Sequence, residues 1–153
     1  MINYIFNNVF QTVSRSIYTY TYKRNLKAPL LLTNFTQLKT INNDNWNYIP
    51  DGEIHIEFYD KLNKNRYAGF INYRVYVGQV GVFVLNDEYR NRGLGKQILE
   101  QTIKDMKEHN CTHIWAVSSC GHEFWSNVFG GKFKWAEKLH PSVSGDGYIM
   151  KID

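Results

Sequence analysis

The sequence predicts a mixed α/β fold in which helices pack on one central sheet. Segments 53–60 and 66–77 alternate apolar and polar residues on either side of a polar turn, as antiparallel strands do. Segment 94–110 instead repeats its apolar residues at helical spacing, opposite a charged face. Short apolar runs at 80–85 and 112–117 flank that helix, so the chain passes from strand to helix to strand.

The N-terminal part of the chain carries the weakest pattern. Residues 16–23 alternate and are rich in β-branched and aromatic side chains, which predicts the first strand. Residues 1–12 fit a short helix or a strand equally well. The segment 25–47 is rich in Asn and is compatible with one or two short helices. Residues 42–52 form a loop by their content of Asn, Asp, Pro and Gly.

The rest of the chain predicts more strands of the same sheet. In the strand at 53–60, apolar and polar side chains take opposite faces: Ile54, Ile56 and Phe58 against Glu53, His55 and Glu57. The run 80–85 is apolar on both faces, which predicts a central strand covered on both sides. A short helix at 121–129 precedes two last strands at 132–137 and 147–152. Together these segments predict a mostly antiparallel sheet of about seven strands, flanked by helices.

Composition narrows the function classes. Hydrophobic residues make up 43% of the 153 residues, so we expect one folded domain over 1–153 rather than a disordered chain or two domains. A net charge of +4 fits an anionic ligand but does not by itself argue for nucleic acid. The acid-poor start is compatible with an organelle presequence, although an ordinary first strand explains it better. No apolar run is long enough for a membrane span, and the low cysteine content favours a reducing, cytoplasmic location.

The stretch EYRNRGLGKQ, residues 88–97, joins the apolar run 80–85 to the long helix. A strand that leads directly into a helix exposes the first N–H groups of that helix, and the helix dipole favours an anion there. Glycine lets the backbone approach a bulky anion and adopts the positive φ angles of an anion nest. Arg90, Arg92 and Lys96 add attraction at longer range. These residues therefore predict a phosphate or pyrophosphate site.

The spacing of the glycines separates the known classes of phosphate-binding loop. A P-loop needs Gly at the position of Arg90 and Ser or Thr at that of Gln97. A dinucleotide fingerprint needs a third Gly where Ile98 stands. The pattern Arg-x-x-Gly-x-Gly from Arg90 to Gly95, between an apolar strand and a helix, resembles the coenzyme A pyrophosphate loop of the GNAT superfamily of N-acetyltransferases. The alternative is a Gly-rich turn with incidental surface arginines.

The resemblance implies where acetyl-CoA, the co-substrate, would bind. In that family the coenzyme lies where the fourth and fifth strands splay apart, here 80–85 and 112–117. Its pantetheine arm would pair with the fourth strand, and the N–H of Leu85 would polarise the thioester carbonyl and stabilise the oxyanion. The implied cofactor-binding residues are Phe83, Val84, Leu85, Arg90, Asn91, Arg92, Gly93, Leu94, Gly95, Lys96 and Trp125.

The implied reaction is direct transfer of the acetyl group to a primary amine, without a protein nucleophile or a metal. Family members often place a Tyr in the helix after the fifth strand to protonate the leaving thiolate, but Trp125 stands there in this chain. Because an indole N–H is a negligible acid, either His122 or Tyr148 is the candidate acid or the thiolate leaves unassisted. The frequent Asn at the start of that helix is replaced by Ser118 or Ser119.

The candidate base lies on the strand at 53–60, which borders the expected amine site. Glu53, His55 and Glu57 project from one face of that strand, and one of them could take the proton directly or through water. The alternative is that these alternating polar residues only form the solvated face of a half-exposed strand.

Two Cys-x-His pairs suggest other chemistries that we consider weaker. Cys111, His113, Cys120 and His122 depart from the usual spacing of zinc ligands, so we expect no metal site. A thiol nucleophile at Cys120 with His122 as its base is also disfavoured, because sequence neighbours seldom form such a pair.

Two other functions stay open at this stage. A basic, aromatic-rich surface could bind nucleic acid, although tyrosines on sheet faces are the commoner explanation. The missing Tyr also fits a catalytically degenerate protein that binds acetyl-CoA without turning it over. The resemblance implies a small-molecule amine or a protein amine as acceptor, and it is compatible with a homodimer. In the family, specificity comes from the first helices and from the loop between the last strands, here 25–47 and 138–147.

Overall fold

The computed structural model describes residues 28–42, 52–117, 124–125, 134–137 and 146–153. The elements, in chain order, are strands β1 (Phe35–Asn42), β2 (Glu53–Asp60), β3 (Arg66–Arg74) and β4 (Gln79–Leu85), helix α1 (Leu94–Glu108), and strands β5 (His113–Val117), β6 (Lys134–Glu137) and β7 (Asp146–Lys151). One short 3-10 helix, Leu32–Asn34, precedes β1, and a second, Asp87–Tyr89, follows β4.

The seven described strands form one sheet in the order β1-β2-β3-β4-β5-β7-β6. Neighbouring strands are antiparallel except β4 and β5, which run parallel because α1 carries the chain back across the sheet. These two strands pair only at Gln79 with Trp115 and at Val80 with Ala116, and then they separate. The predicted sheet, mostly antiparallel and splayed between its fourth and fifth strands, is therefore confirmed.

Helix α1 packs on one face of this sheet through an apolar stripe. Leu94, Ile98, Leu99 and Met106 are fully buried and belong to the same core as the apolar face of β2, as the helical spacing predicts. Among the described helices, none has the length and apolar composition needed to cross a membrane.

β1 corrects the prediction for segment 25–47. Only the 3-10 turn Leu32–Asn34 is helical there within the described residues, and β1 is a strand rather than a second short helix. Its apolar residues Phe35, Leu38 and Ile41 recur every third position, which imitates a helical stripe. The pairing with β2, unbroken along the whole of β1, decides the conformation instead.

β4 is central, as predicted, but it is not covered on both faces. Val82 and Val84 are exposed, because no described element packs over that face of the strand. The last two predicted strands are confirmed as β6 and β7, whereas the helix predicted at 121–129 is described only at Phe124 and Trp125, where it is helical. The strand predicted at 16–23 lies outside the described residues, as does the polar loop up to residue 145.

Candidate functional site

The corner between β4 and α1 passes twice through the left-handed region of backbone conformation. Asn91 and Gly93 have φ angles of 55° and 82°. Gly93 is the N-cap residue of α1 and brings no side chain to cap the helix. A Cβ on Gly93 would point into open space, where the nearest atom is Gln97 Nε2 at 3.9 Å. The first turn of α1 is therefore approachable from outside.

Most amide groups of this corner have no hydrogen-bond acceptor in the described part of the chain. The N–H of Arg90 donates to the carbonyl of Asp87 at 3.2 Å, and the N–H of Gln97 starts the helical ladder at Gly93. Between them, no described carbonyl or side chain accepts a hydrogen bond from the N–H groups of residues 91–96. Such donors, together with the positive end of the helix dipole, can bind an oxyanion.

Two of the cations beside these amides differ in what they contact. Arg90 folds back onto the chain, because its Nε donates to the carbonyl of Leu85 at 2.6 Å and its Nη1 lies 2.9 Å from Asp87 Oδ1. Lys96 is exposed and has no ion-pair partner among the described residues. The Lys96 side chain can therefore attract an anion, whereas that of Arg90 fixes the end of β4.

Arg92 and Gln97 fasten the corner to the segment from Ala28 to Leu32, which we call the strap. Arg92 Nε donates to the carbonyl of Ala28 at 2.8 Å, and the Arg92 carbonyl accepts from the N–H of Leu30 at 2.9 Å. Gln97 Nε2 donates to the carbonyl of Leu30 at 2.7 Å, and Gln97 Oε1 accepts from the N–H of Leu32 at 2.9 Å. Sequence reasoning missed Gln97, because nothing in its neighbourhood signals contacts with a strap more than sixty residues earlier.

Gly95 makes room for aromatic rings. A Cβ at this position would lie 3.2 Å from the ring of Phe124 and 3.6 Å from that of Phe83. The two rings meet edge to face, with centroids 5.8 Å apart. Because Phe83 lies on β4 and Phe124 follows β5, this contact stands where the two strands part. Phe124 is a second residue that sequence reasoning did not assign, since only its neighbour Trp125 matched a family position.

The aromatic cluster continues from the corner into the core. Trp125 and Tyr148 are both buried, and their rings stack at 6.3 Å with planes 26° apart. Trp125 also meets Phe124 edge to face at 5.1 Å. The coenzyme contact predicted for Trp125 and the acid role predicted for Tyr148 stay predictions, and His122 lies outside the described residues.

Polar side chains of β2 and β3 line the sheet face opposite α1. Arg74 Nη2 lies 3.2 Å from Glu53 Oε2, which compensates the charge of that carboxylate. Glu57 Oε2 accepts a hydrogen bond from the hydroxyl of Tyr59 at 2.7 Å, and Glu57 Oε1 lies 3.6 Å from His55 Nε2. Glu53, His55 and Glu57 thus share one half-buried face, as their alternation predicts, while their part in catalysis stays a prediction.

The Glu57 carboxylate affects two neighbouring phenols. Its hydrogen bond to Tyr59 is the largest cause that raises the pKa of that hydroxyl, followed by burial and by the negative charge of Glu57. Burial is the main cause that raises the pKa of Tyr67, and the charge of Glu57 adds to it. Both phenols are therefore neutral at physiological pH and present uncharged rings around the carboxylate.

The cysteine chemistry weighed from the sequence gains no support at Cys111. Its thiol donates to the carbonyl of Val75 at 2.6 Å, and burial raises its pKa, which keeps it protonated. Within the described ranges, no cluster of side chains could hold a metal ion. Cys120 and His122 belong to a segment outside those ranges.

The sequence model of the acetyltransferase (GNAT) family matches residues 21–124, which include the strap, the sheet up to β5 and the whole corner. No curated protein matches the sequence significantly.

Several solved structures share the fold. An acetyltransferase of the GNAT family from Staphylococcus aureus is 19% identical, with a TM-score of 0.52 over 67% of this chain and 69% of that one. A Klebsiella pneumoniae protein assigned as an acyl-CoA N-acyltransferase is 10% identical, with a TM-score of 0.58 over 78% of this chain and 98% of that one. A Bacillus anthracis protein assigned as a streptothricin acetyltransferase was solved with acetyl coenzyme A. It is 13% identical, with a TM-score of 0.52 over 83% of this chain and 92% of that one.

Proposed function

Because the chain belongs to the acetyltransferase (GNAT) family, we propose that it transfers an acetyl group from acetyl-CoA directly to a primary amine. The observation that carries the proposal is the run of N–H groups at residues 91–96 without a described acceptor, beside the point where β4 leaves β5. Coenzyme A offers a pyrophosphate for these donors and an extended arm that can follow the open side of β4. The acetyl-CoA complex of the B. anthracis protein supports this choice of coenzyme.

The chain's own groups suit such a ligand. The amides of 91–96 would hold the pyrophosphate, and the exposed Lys96 would add attraction. The exposed side chain of Val84 and the half-buried Phe83 and Leu85 leave an apolar surface on β4 for the pantetheine arm. We assign to the N–H of Leu85 the task of polarising the thioester carbonyl, because a donor placed where negative charge develops lowers the barrier.

Acetyl transfer also requires that the amine lose a proton and that the leaving sulfur gain one. We propose that the row Glu53, His55 and Glu57 supplies the base, directly or through water. Tyr148 and His122 are the proposed proton donors, since the indole of Trp125 cannot act as an acid.

The decisive experiment combines a binding titration with an amine screen. Acetyl-CoA should raise the melting temperature of the purified protein, and at least one amine in a panel of small amines and peptides should release free coenzyme thiol. Stabilisation without thiol release from any amine would show a degenerate acetyl-CoA-binding protein. No response to acetyl-CoA, together with salt-dependent binding of an oligonucleotide, would instead show a nucleic-acid-binding module.

The base is tested by the pH profile of turnover. The single variants Glu53→Gln, His55→Gln and Glu57→Gln are compared with the parent. The variant that lacks the general base should lose the limb of the pH profile that reports deprotonation of that base. If all three variants keep the parent profile, the base lies elsewhere in the chain.

A further inference from the structure

Four aromatic rings surround the Glu57 carboxylate on the sheet face opposite α1. Tyr59 donates its hydroxyl to Glu57, and its ring meets the ring of Tyr67 edge to face at 5.5 Å. On the other side, the imidazole of His55 lies against the ring of Phe70, with centroids 5.0 Å apart. Phe70 is also the residue of β3 directly across from Glu57. The carboxylate thus stands among rings contributed by two neighbouring strands.

Within the described part of the chain, the only basic side chain within ion-pair distance of this carboxylate is the imidazole of His55, whose Nε2 lies 3.6 Å from Glu57 Oε1. No Lys or Arg of the described residues lies within ion-pair distance of Glu57, whereas Glu53 on the same strand faces Arg74 at 3.2 Å. The Glu57 side chain is 31% exposed, so solvent and small solutes can reach it. The protein as a whole carries a net charge of +4, so the negative charge of Glu57 is opposite in sign to that of the protein.

A carboxylate among aromatic rings fits a positively charged nitrogen. The carboxylate supplies the opposite charge, and the faces of the tyrosine and phenylalanine rings add a cation–π attraction that an anion or a neutral amine does not share. Two of the four rings are phenols that stay uncharged at neutral pH. A bulky apolar ligand would gain little from Glu57, and an anion would be repelled by it. The chemistry of the spot therefore selects an ammonium group.

The register places this spot at a defined distance from the proposed reaction. Glu57 of β2 faces Phe70 of β3, and Phe70 faces Val84 of β4. Neighbouring strands lie about 4.8 Å apart, so Glu57 stands roughly 10 Å across the sheet from the β4 backbone. An amine held by Glu57 is too far away to be the one that attacks a thioester lying along β4, so with Glu57 in this role the proposed base is Glu53 or His55, acting through water.

We propose that Glu57 and the rings of Tyr59, Tyr67 and Phe70 bind a second, non-reacting ammonium group of the acceptor, which is therefore a diamine or a longer polyamine. The inference rests on the proposed acetyl transfer at β4, because that reaction defines which amine reacts. One amino group lies at β4 and loses its proton, while the other stays protonated between the rings and orients the molecule.

The test compares two six-carbon chains, hexamethylenediamine, whose ends are ammonium groups at pH 8, and 1,6-hexanediol, whose ends are neutral. Each is titrated calorimetrically into the protein without acetyl-CoA at pH 8. The diamine should bind at least tenfold more tightly to the parent, roughly what one charge contact aided by rings contributes. Glu57→Gln should remove that preference and leave hexanediol binding unchanged. Glu100→Gln, which removes an equal charge from the exposed face of α1, should change neither value.

Equal affinities of the parent for the diamine and the diol would overturn the inference, as would a Glu57→Gln variant that keeps the preference. Tyr67→Leu provides a second variant, because it removes a partly exposed ring and keeps the carboxylate. It should weaken diamine binding by roughly threefold, and unchanged binding would rule out the ring contact. Since these titrations contain no coenzyme, they test only the ammonium site. Release of coenzyme thiol tests acetyl transfer, so either proposal can fail while the other holds.

Discussion

Gly93 and Gly95 are separated by one residue but meet different physical requirements. Gly93 needs a left-handed backbone, and a Cβ there would fit without a clash. Gly95 lies in α1, and its missing Cβ admits the rings of Phe124 and Phe83. The sequence pattern treats both as parts of one phosphate-binding motif. Only Gly93 has the backbone conformation of an anion nest.

Gly93→Ala should destabilise the protein through its backbone alone. The added methyl group makes only an ordinary van der Waals contact with Gln97 Nε2, but an L-residue in the left-handed region costs about 1 kcal/mol or slightly more. Gly93→Asn is the matched control, because Asn tolerates this conformation better. Urea denaturation should therefore give a smaller loss in the free energy of unfolding for Asn than for Ala. Equal losses would show that the left-handed conformation is not the cause.

The phenol of Tyr73 should make the fold sensitive to alkali. It donates to Asp105 Oδ2 at 2.7 Å, and burial, followed by that hydrogen bond and the charge of Asp105, raises its pKa. Below about pH 10 the phenol is protonated in both the folded and the unfolded state, so its stabilising effect is complete. Above that pH only the unfolded chain ionises, and stability falls by up to about 1.4 kcal/mol per pH unit. The free energy of unfolding, measured from pH 8 to pH 11, should fall less steeply in Tyr73→Phe.

At the scale of elements, the strap explains why the corner between β4 and α1 keeps its shape. Arg92 contacts the strap at the carbonyl of Ala28 and also donates to the carbonyl of Glu88 at 3.1 Å. Its guanidinium thus joins three segments through a planar fork. The sequence predicts that Arg92 attracts the anion by its charge, and these contacts give the side chain a geometric task as well.

Arg92→Lys should separate geometry from charge. Lysine keeps the positive charge but cannot reproduce the fork that reaches both carbonyls. Losing one such hydrogen bond costs about 1 kcal/mol, so acetyl-CoA affinity should fall roughly fivefold as the corner loosens. Lys96→Met is the opposite case, in which only charge is lost, and its effect on affinity should vanish at high salt. Calorimetry at two salt concentrations measures the acetyl-CoA affinity of both variants. If the Arg92→Lys variant binds acetyl-CoA as tightly as the parent protein does, Arg92 has no geometric role.

At the scale of the whole molecule, the sheet is divided by its parallel pair. The strands β1 to β4 form an antiparallel meander, and β5 to β7 form a second antiparallel group. Backbone pairing between the two groups is confined to two residue pairs, at the start of β4 and in the middle of β5. A ligand that follows β4 into this gap would tie the two groups together.

Acetyl-CoA should therefore stabilise the molecule as a whole. A ligand present at one hundred times its dissociation constant adds about 2.7 kcal/mol to the free energy of unfolding, if it binds only the folded state. For a chain of this size that corresponds to a rise in melting temperature of roughly 5–10 °C. A thermal scan with acetyl-CoA measures the shift, and the diphosphate-free arm, pantetheine, serves as the control. An equal shift with pantetheine would argue against an energetic role for the corner.

The sequence by itself determined the elements whose pattern is local. The stripe of α1 is set by its own spacing, and its observed bounds, Leu94–Glu108, lie within the predicted 94–110. The meander β2–β3 and the glycine pattern of the corner are likewise contained in short windows of sequence. Hydrophobic periodicity and turn chemistry act between residues a few positions apart, so they can be read without knowledge of the fold.

The tertiary structure alone decided which distant segments became neighbours. β1 is a strand because β2 pairs along its whole length, although its own residues imitate a helix. The contact of Gln97 with the strap and the rings that gather around Glu57 join residues whose sequence positions carry no sign of each other. Such contacts depend on strand register and helix placement, which are set by burial of the whole core rather than by any single segment.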